Sequence, residues 1–359
     1  MTFYISLTHS CQLRCDYCYS GEKFKKSITH NTLKRAIDFI FSFNQKNIEF
    51  GFFGGEPLLE WSSLVEATLK VEKIAKSKDI HLKKTLTTNA IALDSKKCKW
   101  LREHNFFLVI SLDGNESMHN THRLYPNKSA SFKDVVGSLG VVQNYYNSNE
   151  YCVNVVVTKS NIIHMCQSVK YLYNELRVKK IKLNVNIFDN WDIDTTIIEN
   201  EYKNVANFAI ECYSKNLDIE IDFIDSKIRT NIEKNCNSCN FGEHKFAIAP
   251  SGTIYPCERL IGEDTKELSI GDVYSGIDYL KQLQILKTRG NTTKECQDCS
   301  IKDRCLNDCG CSNYYLTGSI DKVGATLCYF QTLMIECADI VATKLFKEKN
   351  RLFLEKFYK

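Results

Sequence analysis

The sequence predicts an α/β fold: a partial, TIM-like (β/α)6 barrel followed by a smaller cysteine-rich region and a C-terminal helical tail. Three observations carry that expectation. Apolar, β-branched runs alternate with helical patterns over roughly the first 230 residues. The rhythm then stops, and short segments rich in turn residues replace the helices. Cysteine, 17 in 359 residues, gathers in two patches, one at the N-terminus and one after the break.

Taken in order, the strand-like runs are TFYISL, NIEFGFF, LKKTLTT, FFLVISL, YCVNVVVT and KIKLNVNIF. Helices are predicted near 29–46, 60–78, 94–104, 131–147, 162–176 and 199–214. DIEIDFI reads as a further short strand. Runs that are apolar throughout and separated by helices imply a parallel sheet covered on both faces, and six such units suit an open or partial barrel. In such folds chemistry sits on the loops that leave the carboxyl ends of the strands. The first strand runs into Cys11, Cys15 and Cys18, the second into Gly54-Gly55-Glu56-Pro57, the third into Thr88-Asn89, and the fourth into Ser111-Leu112-Asp113-Gly114. Four loops therefore converge on one rim. From about residue 236 segments such as FAIAPSGTIYPCERL hold too little apolar pattern for a large core, so covalent or metal crosslinks are expected there. The tail near 329–359 is helical and basic, with Phe346, Leu352, Phe353 and Phe357 as a stripe expected to dock on the protein, a membrane surface being the alternative.

Composition is ordinary for a globular protein, 43% apolar and 25% charged. The formal charge of +4 is spread along the chain and gives no reason to expect nucleic acid. No run of about 18 uninterrupted apolar residues and no signal-peptide pattern is present, so the expected location is cytoplasmic with no membrane partner. Cys98, Cys152, Cys166 and Cys212 stand alone among apolar or helical neighbours and read as small core residues.

Cys11-x3-Cys15-x2-Cys18 puts three thiolates on one short loop. They can grip three corners of a [4Fe-4S] cube and leave the fourth iron open to a small molecule. A zinc site would want a fourth ligand, and His9 sits very close to the first cysteine for that role. The loop, with Tyr17 as the aromatic before the last cysteine, resembles the defining C-x3-C-x-aromatic-C motif of the radical S-adenosylmethionine (SAM) superfamily. The resemblance implies that the methionyl amino and carboxylate groups of SAM bind the open iron, and that reductive cleavage gives a 5′-deoxyadenosyl radical while the protein positions and shields it. Gly54-Gly55-Glu56-Pro57 looks like the family's GGEP motif: the glycines would allow close backbone approach, and Glu56 would accept a hydrogen bond from the methionyl amino group. Thr88, Asn89, Ser111, Asp113 and Arg123 fall where relatives contact cofactor or substrate, although rim polar residues also cap helices and close turns. His119 and His122 read as surface or packing histidines.

The later cysteines resemble the family's SPASM extension. Cys239 is followed after twelve residues by Gly252-x4-Cys257, then by Cys296-x2-Cys299-x5-Cys305-x3-Cys309 and finally Cys328. The resemblance implies three [4Fe-4S] clusters in all. Cys296, Cys299, Cys305 and Cys328 would hold one auxiliary cluster, and Cys239, Cys257, Cys309 and the upstream Cys236 the other, with Cys311 a spare. A structural zinc knuckle would account for Cys296 to Cys309 alone and leave Cys239, Cys257 and Cys328 without a role. The implied domains are a radical SAM partial barrel over 1–230, a SPASM domain over 231–335 and a helical tail over 336–359.

This resemblance implies an oxidoreductase acting on a peptide or protein side chain. Its first reading is a maturase that crosslinks a ribosomally made precursor peptide through a thioether, carbon–carbon or ether bond; the alternative is an anaerobic sulfatase maturase that makes formylglycine from Cys or Ser. Either removes a hydrogen atom, then an electron and a proton, for which the auxiliary clusters would be the sink. Glu258, where sulfatase-maturing relatives carry a proposed Asp base, is the candidate base, with Asp113 next; an exposed loop glutamate is the bland alternative. A donor such as flavodoxin or ferredoxin is implied. With the first ligand already at Cys11, the leader-recognition domain of many peptide-maturing relatives is expected to be absent, leaving recognition to a separate protein or to the chain itself. A non-catalytic iron–sulfur or zinc-binding protein is the alternative of another class.

Overall fold

The computed structural model describes residues 1–233, 239–288 and 293–358. It comprises two compact units that interleave along the chain: Met1–Ser111, Arg123–Glu150 and Asn240–Thr288 form the first, and Leu112–His122, Tyr151–Cys239 and Arg289–Lys359 the second. The division at 1–230, 231–335 and 336–359 follows cysteine content and stands as a proposal about function; compactness follows a different cut.

In the first unit, β1 (Thr2–Ser6), β2 (Asn47–Phe53), β3 (His81–Thr88) and β4 (Phe106–Ser111) pair in parallel, in that order. The helices between them, His30–Ser42, Trp61–Ser77 and Ser95–Glu103, lie where the sequence pattern puts them. Local chemistry starts two of these helices. Thr29 Oγ1 accepts from Thr32 N at 3.1 Å, and Asp94 Oδ1 from Lys97 N at 2.8 Å. On the far side of β1 the sheet continues: β8 (Lys245–Ile248) pairs in parallel with β1, and β9 (Thr253–Tyr255), β10 (Gly271–Asp272) and β11 (Gly276–Ile277) follow antiparallel. Phe3 and Phe246 are the hub of an aromatic core, stacked at 5.7 Å with Phe39 and Phe43 around them. Gly51 faces Tyr4 across the β1–β2 pair, and a Cβ there would lie 2.6 Å from the Tyr4 ring. The missing side chain is the space the ring occupies.

In the second unit β5 (Tyr151–Val157), β6 (Lys180–Val185) and β7 (Glu220–Ile221) are parallel. DIEIDFI is a strand for only two residues and then becomes a helix, Asp222–Glu233. One long-range and one local bond decide this, because Asp222 accepts from Leu183 N at 2.8 Å and Asp225 from Ile221 N, four residues before it, at 3.0 Å. Both carboxylates also sit in the first turn, where they complement the helix dipole.

Helix Ala325–Lys347 is long and apolar enough to cross a membrane by length and composition. Glu336 and Asp339 interrupt its apolar run, and half of that window is buried where the helix packs on Thr195–Ser214 and Asp222–Glu233. The final helix, Arg351–Phe357, docks as expected. Asn350 caps it, accepting from Phe353 N at 3.0 Å and donating to Tyr213 O at 2.8 Å, while Lys356 pairs with Asp225. Phe353 and Phe357 are buried, and Phe346 is left exposed. Phe353→Ala is therefore expected to cost about 3–5 kcal/mol of unfolding free energy and Phe346→Ala less than about 0.5 kcal/mol, read by guanidinium titration of the full chain.

Candidate active site

The chain leaves β1 at Ser6 and enters a loop whose course is set by backbone bonds on both sides. His9 N donates to Lys26 O at 3.0 Å and Ile28 N to Leu7 O at 2.8 Å. From β2, Gly55 N donates to Thr8 O at 2.9 Å and Glu56 N to Ser10 O at 2.8 Å. The approach is so close that a Cβ on Gly55 would fall 2.2 Å from Ser10 O, and one on Gly54 2.3 Å from Ser6 Oγ. Gly54 also has φ +132°, outside the range of L side chains. The two glycines are thus explained by the loop they clamp, which leads straight to Cys11.

Cys11, Cys15 and Cys18 are part-exposed cysteines on that loop and form no disulfide, with Cys18 N donating to Cys15 O at 3.1 Å to close the turn. Three donors reach their sulfurs: Leu13 N lies 3.4 Å and Asn89 Nδ2 3.5 Å from Cys11 Sγ, and Lys23 Nζ 3.1 Å from Cys18 Sγ. Burial, then the nearby Glu56, push the Cys11 thiol up. Soft sulfur ligands with N–H donors around them suit an iron–sulfur cluster. Among the described residues no three His, Cys, Asp or Glu are gathered tightly enough for a single metal ion, and a four-iron cube asks for wider sulfur spacing.

Glu56 is buried and its carboxylate is a knot. Oε1 accepts from Leu58 N at 3.0 Å and Thr88 Oγ1 at 2.7 Å, and Oε2 accepts from Asn89 N at 2.8 Å. Three of about four lone-pair positions are taken within the protein. Burial raises its pKa from the ordinary 4.5 to about 7 against the pull of these three bonds. Thr88 and Asn89, predicted as rim residues, are brought into the same knot, and Asn89 reaches on to Gln12 at 3.2 Å as well as to Cys11. Tyr17 and Arg123 also meet, the buried guanidinium lying 5.4 Å from the ring centroid. Ser111 ends β4.

Glu258 follows Cys257 and is not an exposed loop residue. Lys245 Nζ lies 2.9 Å from its Oε2 and 3.1 Å from its Oε1, and the Cys257 thiol donates to Oε2 at 3.5 Å. Burial would raise its pKa, but the Lys245 ammonium outweighs burial and holds the carboxyl below its usual range. Lys245 itself lies 5.5 Å from the Tyr4 ring centroid, the ring that Gly51 makes room for. No spacing in the sequence marks Lys245 or Lys23.

In the second unit Asp113 is fully buried. Its Oδ1 accepts from Val156 N at 2.8 Å, and its own N donates to His119 Nδ1 at 3.2 Å. His119 and His122 are buried packing residues, the latter with Nε2 2.8 Å from both Thr158 Oγ1 and Ser160 Oγ. Cys296, Cys299, Cys305 and Cys328 all belong to this unit. Cys305 is pushed up to about 11, first by burial, with Lys227 opposing and Cys328, Cys296 and Cys299 adding to it, so the other three cysteines lie within electrostatic reach of Cys305. Cys239 N donates to Asp308 Oδ2 at 3.1 Å, and Cys309 Sγ lies 3.6 Å from the spare Cys311. Cys257 belongs to the first unit, and Cys236 lies outside the described residues. Cys98, Cys152, Cys166 and Cys212 are buried as expected, and so is Cys337, which stands in no cysteine pattern.

The Glu56 knot has a pH signature. A carboxyl whose folded pKa is raised stabilises the fold fully below its unfolded value near 4.5 and loses that contribution as pH rises through about 7. Between pH 5 and pH 8 the unfolding free energy of the wild type should fall by a few kcal/mol more than that of Glu56→Gln, measured by urea titration. Equal slopes would remove the burial of Glu56 from the energetics of the loop.

Comparison with known proteins agrees with this geometry. Residues 5–167 match the model of the radical SAM superfamily. A cysteine-type anaerobic sulfatase-maturating enzyme of Clostridium novyi is 25% identical over 278 residues, 72% of this chain and 73% of that protein. The radical SAM cyclopropyl synthase TigE of Paramaledivibacter caminithermalis is 19% identical over 97% of this chain and 74% of its own. Among solved structures, native anSMEcpe with bound AdoMet and Cp18Cys peptide superposes with a TM-score of 0.82 at 18% identity, over 97% of this chain and 99% of that one. With its cysteine loop and its glycine clamp in agreement, the chain carries a radical SAM domain at residues 5–167 and is an enzyme.

Proposed function

We infer that the chain oxidises a residue of a peptide or protein by two electrons, and that intramolecular crosslinking of a ribosomally made precursor peptide is its first reading. The observation that carries this is the pairing, in one chain, of the clamped three-thiol loop with a second cysteine group, in which Cys296, Cys299 and Cys328 all act electrostatically on Cys305. A radical-generating site alone needs only the first. The peptide-bound anSMEcpe, as named, supports a peptide substrate.

Cys11, Cys15 and Cys18 would hold one [4Fe-4S] cluster and leave an iron for SAM. When bound, that pair supplies a 5′-deoxyadenosyl radical that takes a hydrogen atom from a substrate carbon. Glu56, with one lone-pair position still unspent, would receive the methionyl amino group. Gly54, Gly55, Thr88 and Asn89 hold it in place, and Ser111, Tyr17 and Arg123 would line the rest of the cofactor site. Cys296, Cys299, Cys305 and Cys328 would hold a second cluster, and Cys239, Cys257 and Cys309 with Cys236 a third. These take electrons, and a donor of the flavodoxin or ferredoxin kind would provide the first one. A separate leader-recognition protein is a further partner in this reading.

The second hydrogen leaves as a proton and an electron. Glu258 is already ionised by Lys245 and would take the proton; Asp113 is the second candidate. Formylglycine formation is a second reading, favoured by the Clostridium novyi relative. The products are separable by mass and fragmentation. A crosslink and serine oxidation each remove two hydrogens, but only the crosslink suppresses backbone fragments between the joined residues. Cysteine oxidation followed by hydrolysis also exchanges sulfur for oxygen. Mass spectrometry of a co-expressed precursor peptide and of a co-expressed sulfatase decides between them.

Anaerobically reconstituted protein should hold about twelve iron and twelve sulfide per chain. Replacing Cys11, Cys15 and Cys18 together by Ala should leave about eight of each and abolish SAM cleavage to 5′-deoxyadenosine. Retained cleavage, or colourless protein with stoichiometric zinc, would overturn the reading. For the base, Glu258→Gln should stop product while sparing 5′-deoxyadenosine. In Lys245→Met burial would dominate, the Glu258 carboxyl would titrate higher, and the acid limb of product formation would move to higher pH with 5′-deoxyadenosine formation unmoved.

A further inference from the structure

We propose that Lys227 is a built-in electrostatic control on the cluster held by Cys296, Cys299, Cys305 and Cys328, raising its reduction potential so that it can accept an electron. The inference rests on the reading of those four cysteines as cluster ligands.

Lys227 lies in helix Asp222–Glu233 and is 5% exposed, a rare degree of burial for an ammonium group. Its Nζ donates to Arg304 O at 2.6 Å and to Gln331 Oε1 at 2.6 Å. Arg304 O belongs to the peptide whose nitrogen is that of Cys305. Gln331 Oε1 accepts in turn from Leu306 N at 3.1 Å, on the other side of Cys305. Gln331 itself stands three residues after Cys328 on helix Ala325–Lys347, so Cys328 lies almost one turn before it on the same helix. The charge is thus anchored to the residues that flank one ligand and to the helix that carries another. Arg304 locks the arrangement from outside, donating to Lys227 O at 3.2 Å and to Asp339 at 2.8 and 2.9 Å.

A buried charge is costly unless an opposite charge answers it. Four thiolates on an iron–sulfur core are net negative, and one-electron reduction adds a further negative charge without requiring a proton. A fixed ammonium therefore stabilises the reduced form more than the oxidised one. Net charge and hydrogen bonding around the sulfurs are the levers that move such potentials. The same ammonium opposes the burial that raises Cys305.

The test is an EPR-monitored redox titration of the reconstituted full chain and of Lys227→Met, Lys227→Gln and Lys227→Arg, with iron and sulfide counted for each. At a fixed applied potential, Lys227→Met and Lys227→Gln should show the reduced-to-oxidised ratio of one cluster lowered about tenfold, equivalent to about 59 mV for one electron. Lys227→Arg should stay close to wild type. Full iron loading with an unmoved midpoint in both uncharged variants overturns the proposal. Loss of the cluster in both, with retention in Arg, also overturns it, by making Lys227 a scaffold for the loop. A wild type that itself loads only about eight iron, or zinc in place of the third cluster, would instead defeat the ligand reading on which the proposal stands.

Discussion

One buried carboxylate holds the end of this protein that carries the first cysteine loop together. Glu56 joins the end of β2 to the end of β3 through Thr88 and Asn89, and its own backbone nitrogen joins both to Ser10, immediately before Cys11. Each hydrogen bond to a charged group contributes about 1.5–3 kcal/mol, yet the pKa near 7 says that burial still outweighs three of them. The knot is therefore under electrostatic tension in the absence of a cation. A protonated amine arriving at the remaining lone-pair position would relieve it, which is the chemical sense of the role proposed for Glu56 toward SAM. Affinity and loop order would then share a single cause.

Much of this was legible in the sequence, and the reasons are local. The βα rhythm of β1 to β6 could be read because side-chain period alone separates strand from helix. The cysteines could be read because ligand spacing is a chain property. What escaped depends on contacts across the chain. DIEIDFI alternates like a strand, but Asp222 and Asp225 satisfy Leu183 N and Ile221 N and start a helix instead. The cysteine-poor stretch β8 to β11 adds to the sheet beside β1, which no local pattern announces. The GGEP glycines were legible as a place of close approach, while the partner they approach, the backbone of Thr8 to Ser10, was not.

The same limit applies to charge. A glutamate after a cysteine can be noticed in a sequence, but whether it is protonated depends on a lysine thirteen residues earlier. Lys245 is placed by β8, and it lies against Tyr4, whose ring fills the space left by Gly51. A small residue in one strand thus makes room for the ring beside which that lysine lies. Sequence spacing carries no trace of such a relay, because each link is a packing contact between different strands.

Two lysines, the half-buried Lys245 and the buried Lys227, show what the protein does with the same group in different company. Lys245 meets a carboxylate, so its charge is largely answered within the pair and its effect is to keep Glu258 ionised. Lys227 meets the neutral oxygens of Arg304 and Gln331 beside Cys305, so its field extends toward the thiols. A Met in that helix position would pack as well and cost less to bury. An ammonium held there acts on Cys305, and so on any negative charge that this cysteine comes to share. A proton acceptor kept ionised by one lysine and an electron acceptor favoured by another would divide the second oxidation into its two particles, each with its own site.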